Sequence, residues 1–200
     1  VHSFSRRAPT STDAKLQALV STDNSQWPAT LASLSPPPSI FFSALGTTRG
    51  ASGSVEAQRK IDYDLNLDLA RAAKTAGVKV YVLISSGGAN SKSALAYPRM
   101  KGELEESVKQ LGFERTIILR PGLLLGDRSD SRPAEWVMRK IAGGFGLLGH
   151  RALDFWAQDA AVVAKAAISA GLQALGDDMP KLWELGMSDI VRLGRTEWKD

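Results

Sequence analysis

Short apolar runs alternate with longer segments of helical period along this chain, the pattern of βα units laid around a mostly parallel sheet. Val1 to Ser5 reads as a strand. Asp13 to Val20 is predicted as a helix with Leu16 and Leu19 facing inward, and Trp27 to Leu34 as a second short helix, ended by Ser35-Pro36-Pro37-Pro38 because proline cannot continue it. Ser39 to Leu45 is apolar enough for a strand buried on both faces, and the loop after Gly46 is rich in glycine and small residues. The clearest helix runs from Val55 to Ala76, with Ile61, Leu65, Leu69, Ala72, Ala73 and Ala76 on one face and Gly77 placed to end it. A strand at Val78 to Ile84, a helix from Tyr97 to Leu111 stopped by Gly112, and a strand at Thr116 to Leu119 follow. A helix after Pro133, another through Ala160 to Leu175 and a strand at Leu182 to Leu185 complete the pattern, with Gly194 to Asp200 expected as a frayed tail.

Composition narrows the chemistry. The 200 residues, 44% hydrophobic and 23% charged, suit one soluble domain with a real core. There is no cysteine and there are two histidines, His2 and His150, which excludes cysteine zinc ribbons, iron–sulfur clusters and thiol nucleophiles. Catalysis must then run on hydroxyls, amines and carboxylates. The formal charge of +4 is mild and dispersed; it suits an anionic ligand and does not call for nucleic acid. The longest apolar stretches, Ile117 to Gly126 and Ile141 to Leu148, fall short of the roughly 20 residues a spanning helix needs. Val1 to Thr12 carries Arg6 and Arg7 and no acid, but Pro9 interrupts it and no apolar face is visible, so it reads as a strand entering an arginine turn rather than a mitochondrial presequence. Asp62, Asp64 and Asp68 read as solvent-facing helix charges, and no metal site is predicted. The tryptophans read as packing residues, and His150 as a loop residue without a role.

One constellation carries chemistry. Ser85 and Ser86 close the Val78 to Ile84 strand, and after a polar loop Tyr97-Pro98-Arg99-Met100-Lys101 opens a helix. Four positions on a helix place Tyr97 and Lys101 on one face. A free tyrosine, with a pKa of about 10, is a poor acid–base group at neutral pH; an adjacent ammonium, together with an oxidised nicotinamide, favours the phenolate. A serine hydroxyl from the strand end can hold a substrate carbonyl or alcohol in register. Such a site transfers hydride without Cys, His or metal. Taken alone, the same residues also fit a helix-start aromatic and a solvated lysine.

The segments Phe41-Phe42-Ser43-Ala44-Leu45-Gly46, Ile61-Asp62-Tyr63-Asp64-Leu65-Asn66, Val82-Leu83-Ile84-Ser85-Ser86-Gly87-Gly88, Tyr97-Pro98-Arg99-Met100-Lys101-Gly102-Glu103 and Leu119-Arg120-Pro121-Gly122 occur in the order typical of atypical short-chain dehydrogenases/reductases. Within them the chain resembles the fungal mitochondrial outer-membrane branch related to the human Tat-interacting oxidoreductase-like protein. The resemblance implies an α/β Rossmann-like doubly wound parallel sheet in a single NAD(P)-binding domain over residues 1–200. It implies Tyr97 as proton donor or acceptor, Lys101 as the residue that lowers its pKa and binds the nicotinamide ribose, and Ser86, or Ser85 one register away, as the substrate-orienting hydroxyl. Asn66 falls where related enzymes support a proton relay. Pro121 and Gly122 match the segment passing the nicotinamide amide, and Ala44, Leu45 and Gly46 the strand end flanking the adenosine half. Arg6 and Arg7 match the end of the second strand, where arginine favours the 2′-phosphate of NADP(H). The matching pattern starts at that second strand. No central strand and glycine-rich pyrophosphate turn precedes Arg6, so the expectation is an N-terminally truncated domain with the middle of its sheet open.

The function implied is an NADP(H)-dependent oxidoreductase of a carbonyl or alcohol. The alternative is a weakly catalytic or non-catalytic NADP-binding regulatory or scaffold protein at the mitochondrial outer membrane, attached peripherally. Residues 127–182, with Trp136, Phe145, Phe155 and Trp156, are expected to form the substrate wall; substrate and oligomeric state are not legible.

Overall fold

The computed structural model describes residues 1–125 and 157–199. Its centre is a four-stranded, all-parallel sheet in the order β3 (Ile40–Ser43), β4 (Val80–Ile84), β5 (Arg115–Leu119), β8 (Leu182–Leu185). Two further parallel pairs stand apart from it: β1 (His2–Ser5) with β2 (Gln17–Val20), and β6 (Leu123–Leu125) with β7 (Ala157–Asp159). The strand at Val1 to Ser5 is therefore not hydrogen-bonded to β3, and the two sheets leave the inner edge of β3 without a partner strand among the described residues.

Alternation along β4 explains the layering. Tyr81 and Leu83 face a cluster with α1 (Trp27–Ala32), α4 (Asn66–Thr75) and α5 (Ala96–Gln110), including Trp27, Leu69, Leu104, Val108 and Phe113. Val80 and Val82 face the opposite cluster with α6 (Ala160–Gln173) and α7 (Met187–Val191), including Val163, Ala166, Ala170 and Ile190. Helices therefore cover both faces, as a parallel sheet requires. Phe4 reaches this core from β1, 6.2 Å from the Trp27 ring. Helices α4 and α5 run into Gly77 and Gly112, whose φ values of 89° and 65° supply the left-handed turn that ends them.

Four expectations are corrected. Asp13 to Val20 is not a helix: the Asp13 carboxylate accepts the Lys15 N–H at 2.8 Å in a local turn, and Gln17–Val20 then pairs in parallel with β1. The apolar spacing of Leu16 and Leu19 is too short a run to outweigh an available strand edge. Strand β3 is not buried on both faces, since Phe42 is 42% exposed. The long helix is not one α-helix: α2 (Arg49–Ser52) and α3 (Val55–Arg59) lead into a π-helical turn, Lys60–Leu65, before α4. The tail is not frayed from Gly194; Leu193 and Gly194 are buried in a π-helical turn, Arg192–Thr196, and a Cβ on Gly194 would lie 2.0 Å from the Val162 carbonyl oxygen. The segment after Pro133, with Trp136, Phe145, His150, Phe155 and Trp156, lies outside the described residues.

Gly102 on α5 presses against the loop that precedes the helix. A Cβ there would stand 2.1 Å from the Ser91 nitrogen and 2.4 Å from the Asn90 carbonyl carbon, both backbone. Gly102→Ala is expected to destabilise the chain by about 2–3 kcal/mol, a fall of roughly 5–10 °C in melting temperature for a domain of this size. A melting curve superimposable on the wild type would contradict this packing.

Candidate active site

Strand β4 is apolar throughout, and its polar exit supplies the first part of the site. Ser85 continues the ladder, its N–H donating to the Leu119 carbonyl at 2.8 Å, and Gly87 donates to the Pro121 carbonyl at 2.7 Å. The exits of β4 and β5 therefore run side by side. The loop folds back on α5, where the Asn90 N–H donates to the Pro98 carbonyl at 2.9 Å. Pro98 lies in the first turn of α5, where a missing N–H leaves no intrahelical bond unmade.

Three positions one turn apart then address the strand exits. Tyr97 stands one turn before Lys101 on α5, and the Ser86 hydroxyl acts on its phenol, favouring the phenolate. Lys101, only 3% exposed, donates from Nζ to the Ile84 carbonyl at 3.2 Å. Glu105 takes the Arg120 guanidinium at the end of β5 with a closest distance of 2.6 Å. The structure thus places Tyr97 and Lys101 on one face of α5, with Lys101 held to the β4 exit that Ser85 and Ser86 continue. It separates the two serines: the influence on the Tyr97 phenol comes from Ser86, whereas the Ser85 hydroxyl is buried without a hydrogen-bond partner.

The electrostatics correct one expectation. In the chain by itself the Tyr97 phenol is pushed above its ordinary range, chiefly by burial and then by the negative charge of Asp62, with the Ser86 hydrogen bond pulling the other way. Lys101 is pushed below its ordinary range by burial, opposed by the charges of Asp62 and Glu105. In the chain alone Tyr97 thus holds its proton more firmly than a free phenol does.

Pro121 is buried, and the Gly122 N–H donates to Gln158 Oε1 at 2.6 Å, so this segment is pinned beside the β4 exit. Ala44 and Gly46 are exposed at the end of β3, with Leu45 half-buried. Arg6 and Arg7 follow β1 on the separate two-stranded sheet and are exposed. Asn66 does not present its amide to a relay. It is fully buried, Oδ1 accepts from the Ser43 hydroxyl at 2.5 Å, and Nδ2 donates to the Ile61 and Asp62 carbonyls at 3.0 and 3.3 Å.

Asp64 and Asp68 face solvent as expected, but Asp62 does not; it is 1% exposed and accepts the Thr47 N–H at 2.9 Å. Burial pushes its carboxyl above the ordinary range, against the Thr47 and Gln58 hydrogen bonds and the charge of Lys101. The signal that could have found it is the spacing Gln58, Asp62, Asn66: three polar residues four apart on the buried side of one helix.

The residues present fit the nicotinamide half of a dinucleotide. Lys101, with Tyr97 one turn before it, is held to the β4 exit, the Gly87 N–H ties that exit to the Pro121 carbonyl, and the orphaned Ser85 hydroxyl offers one more buried polar atom there. Strand-to-loop exits of this kind are where open α/β sheets bind ligands.

The fold is similar to that of proteins whose solved structures hold NAD. MoeE5 in complex with UDP-glucose and NAD superposes with a TM-score of 0.63 at 15% identity, over 98% of this chain and 72% of that one. The Bordetella bronchiseptica enzyme WbmG in complex with NAD gives 0.60 at 13% identity, over 92% of this chain and 63% of that one, so the chain spans less than two thirds of WbmG. These likenesses show a Rossmann-like α/β fold. In sequence, the chain is 57% identical to the mitochondrial protein fmp52 of Aspergillus fumigatus over 97% of this chain and 86% of that protein. It is 55% identical to fmp52 of Emericella nidulans over 98% of this chain and 87% of the relative. The HIM1 family model matches residues 13–143, which include the β3 exit, the polar helix ladder, Ser86, Tyr97, Lys101 and the Arg120-Pro121-Gly122 segment, and the chain accordingly belongs to the HIM1 family.

Proposed function

We propose that this chain is an NADP(H)-dependent oxidoreductase of short-chain type acting on a carbonyl or alcohol. The observation that carries the reading is the placement of Tyr97 one turn before the buried Lys101 on α5, with the Lys101 ammonium donating to the Ile84 carbonyl at the β4 exit, two residues before Ser86. The nicotinamide supplies or accepts the hydride. In the direction of reduction, Ser86 orients the substrate carbonyl, Tyr97 gives its proton to the carbonyl oxygen, and the charge on Lys101 stabilises the phenolate left behind. Arg6 and Arg7, exposed after β1, are the groups proposed to favour a 2′-phosphate. The mitochondrial names of the fungal relatives support a mitochondrial setting.

Titration with NADPH and NADH, followed by nucleotide fluorescence, tests the reading. NADPH is expected to bind about tenfold tighter or better, a margin of one charge-assisted contact, and the Arg6→Ala/Arg7→Ala chain to lose that margin. No signal from either nucleotide would remove the proposal. The regulatory reading draws on the same raised Tyr97 phenol, which leaves little phenolate available to take a proton from an alcohol. It predicts binding that survives Tyr97→Phe without any measurable turnover in the wild type.

A further inference from the structure

Tyr97 begins a row of side chains four apart on α5, followed by Lys101, Glu105 and Lys109, and the last three are tied to three different strands. Lys101 Nζ donates to the carbonyl of Ile84, the last residue of β4, at 3.2 Å. Glu105 accepts the guanidinium of Arg120, the residue that follows β5, from Nε at 3.2 and 3.3 Å and from Nη2 at 2.6 Å. Lys109 reaches Glu184 of β8 at 2.5 Å, and the same carboxylate takes Arg120 Nη1 and Nη2 at 3.3 Å each. Arg120 is also held by its backbone, since its N–H donates to the Leu185 carbonyl at 2.8 Å, and the next carbonyl, that of Pro121, accepts the Gly87 N–H. Arg120 therefore stands where the helix, β8 and the Pro121–Gly122 segment meet.

Holding α5 onto the sheet does not require an ion pair. Leu104 and Val108 already bury that side of the helix in one cluster with Tyr81, Leu83 and Ile118 of the strands. Apolar burial is non-directional, however, and by itself leaves a helix free to slide or roll on its support. A buried ion pair is a weak source of stability: replaced whole by apolar side chains of similar size it is often no loss, whereas removing one partner strands a charge. What the Glu105–Arg120 pair adds is direction, because a planar guanidinium fork meets a carboxylate in a fixed geometry. The fork lies one turn from Lys101 and two turns from Tyr97 on the same continuous helix, so its geometry reaches both.

We propose that Glu105 and Arg120 are positioning residues: their fork sets the height and rotation of α5 over the strand ends, and with it the placement of Lys101 and Tyr97 against the Pro121–Gly122 segment. Neither residue touches a reacting atom. Arg120 acts on both walls at once, through its side chain on the helix and its backbone on the segment that follows it. The role rests on the reading of Tyr97 and Lys101 as the nicotinamide side of the proposed site.

The test is calorimetric binding of two probes, NADPH and adenosine 2′,5′-bisphosphate, which carries the adenosine end of NADPH without the nicotinamide. Glu105→Met/Arg120→Met replaces both charges and strands neither, so its melting temperature is expected to stay within about 3 °C of the wild type. Its NADPH affinity is expected to fall about tenfold, the worth of one charge-assisted hydrogen bond from a displaced Lys101, while the bisphosphate binds within about twofold of its wild-type affinity. Arg120→Lys keeps a cation beside Glu105 without the fork; it is expected to melt well above Arg120→Ala and yet to keep the lowered NADPH affinity. A purely structural pair would move melting temperatures and leave the ratio of the two affinities alone. A folded Glu105→Met/Arg120→Met chain with the wild-type ratio overturns the proposal, and where that chain does not fold, a wild-type ratio in Arg120→Lys overturns it. A wild type that binds neither nicotinamide nucleotide instead removes the proposed function, and this role falls with it.

Discussion

Tyr97→Phe is expected to lower kcat by about 10²–10⁴-fold, the range removed with a general acid, while NADPH affinity and melting temperature stay near the wild type. The phenol is the group proposed to carry the proton, and no other hydroxyl stands on Lys101's face of α5 one turn away. Its removal costs little structurally, because the side chain is 43% exposed and its ring is retained. Ser86→Ala is expected to lose about tenfold, as one orienting hydrogen bond. Ser85→Ala is expected to leave the melting temperature unchanged, because its hydroxyl has no partner within the chain to give up. The measurement is NADPH oxidation on any carbonyl compound that supports it, with circular dichroism as the folding control. Full turnover in Tyr97→Phe would place the chemistry elsewhere.

Arg120→Ala is the second large effect, and it is one of stability. Arg120 binds Glu105 through Nε at 3.2 Å and Nη2 at 2.6 Å, and also reaches Glu184, which Lys109 contacts at 2.5 Å. The partners differ in exposure: Glu105 is 3% exposed at its side chain and Arg120 is 32% exposed. Truncating the arginine strands a buried carboxylate, which costs about 3 kcal/mol after allowing for the exposed guanidinium, or roughly 6–12 °C in melting temperature. Glu105→Gln in the Arg120→Ala background removes the stranded charge and is expected to recover a good part of the loss. Part of the wild-type advantage fades in acid. Glu184 is held below its ordinary value of 4.5, first by the Lys109 hydrogen bond and also by Arg120. A carboxyl depressed in this way adds stability above its unfolded pKa that is lost as pH falls through the folded one. Thermal melts of both proteins from pH 7 down to pH 3 check the narrowing gap; a constant gap would show that Glu184 contributes nothing through Arg120.

Elements with a strong period were legible in the sequence. Strand β4 and helix α5 fell close to their expected ends, because Val-Tyr-Val-Leu-Ile has nowhere to go but a buried strand and Gly112 stops the helix that follows. Gln17–Val20 was not legible, since Leu16 and Leu19, three apart, fit a helix until the partner strand is known. The π-helical turn was hidden for a related reason: a period read at 3.6 residues per turn cannot show where one turn widens. That turn lies behind the misjudged Asp62, which reads as a surface acid on an unbroken amphipathic helix. That Tyr97 and Lys101 share one face of α5 was legible from spacing alone. Which serine meets Tyr97 was not, because Ser85 and Ser86 differ by one position and adjacent strand residues point to opposite sides.

The strand order β3, β4, β5, β8 is also the order of synthesis. Parallel pairs cannot close as hairpins; each must wait for its crossover segment to be made. Here each new strand of the main sheet joins the edge left by the one before, so the sheet can grow in one direction as the chain leaves the ribosome, without rearranging what is already paired. The contact of Lys101 with the β4 exit needs only residues up to α5 and is available before β8 exists. Until β8 arrives, β5 is an open apolar edge with Arg120 half-satisfied, and slow parallel closure leaves that edge exposed to other chains. Between the translation of β5 and that of β8 the growing chain is therefore at its most dependent on a chaperone.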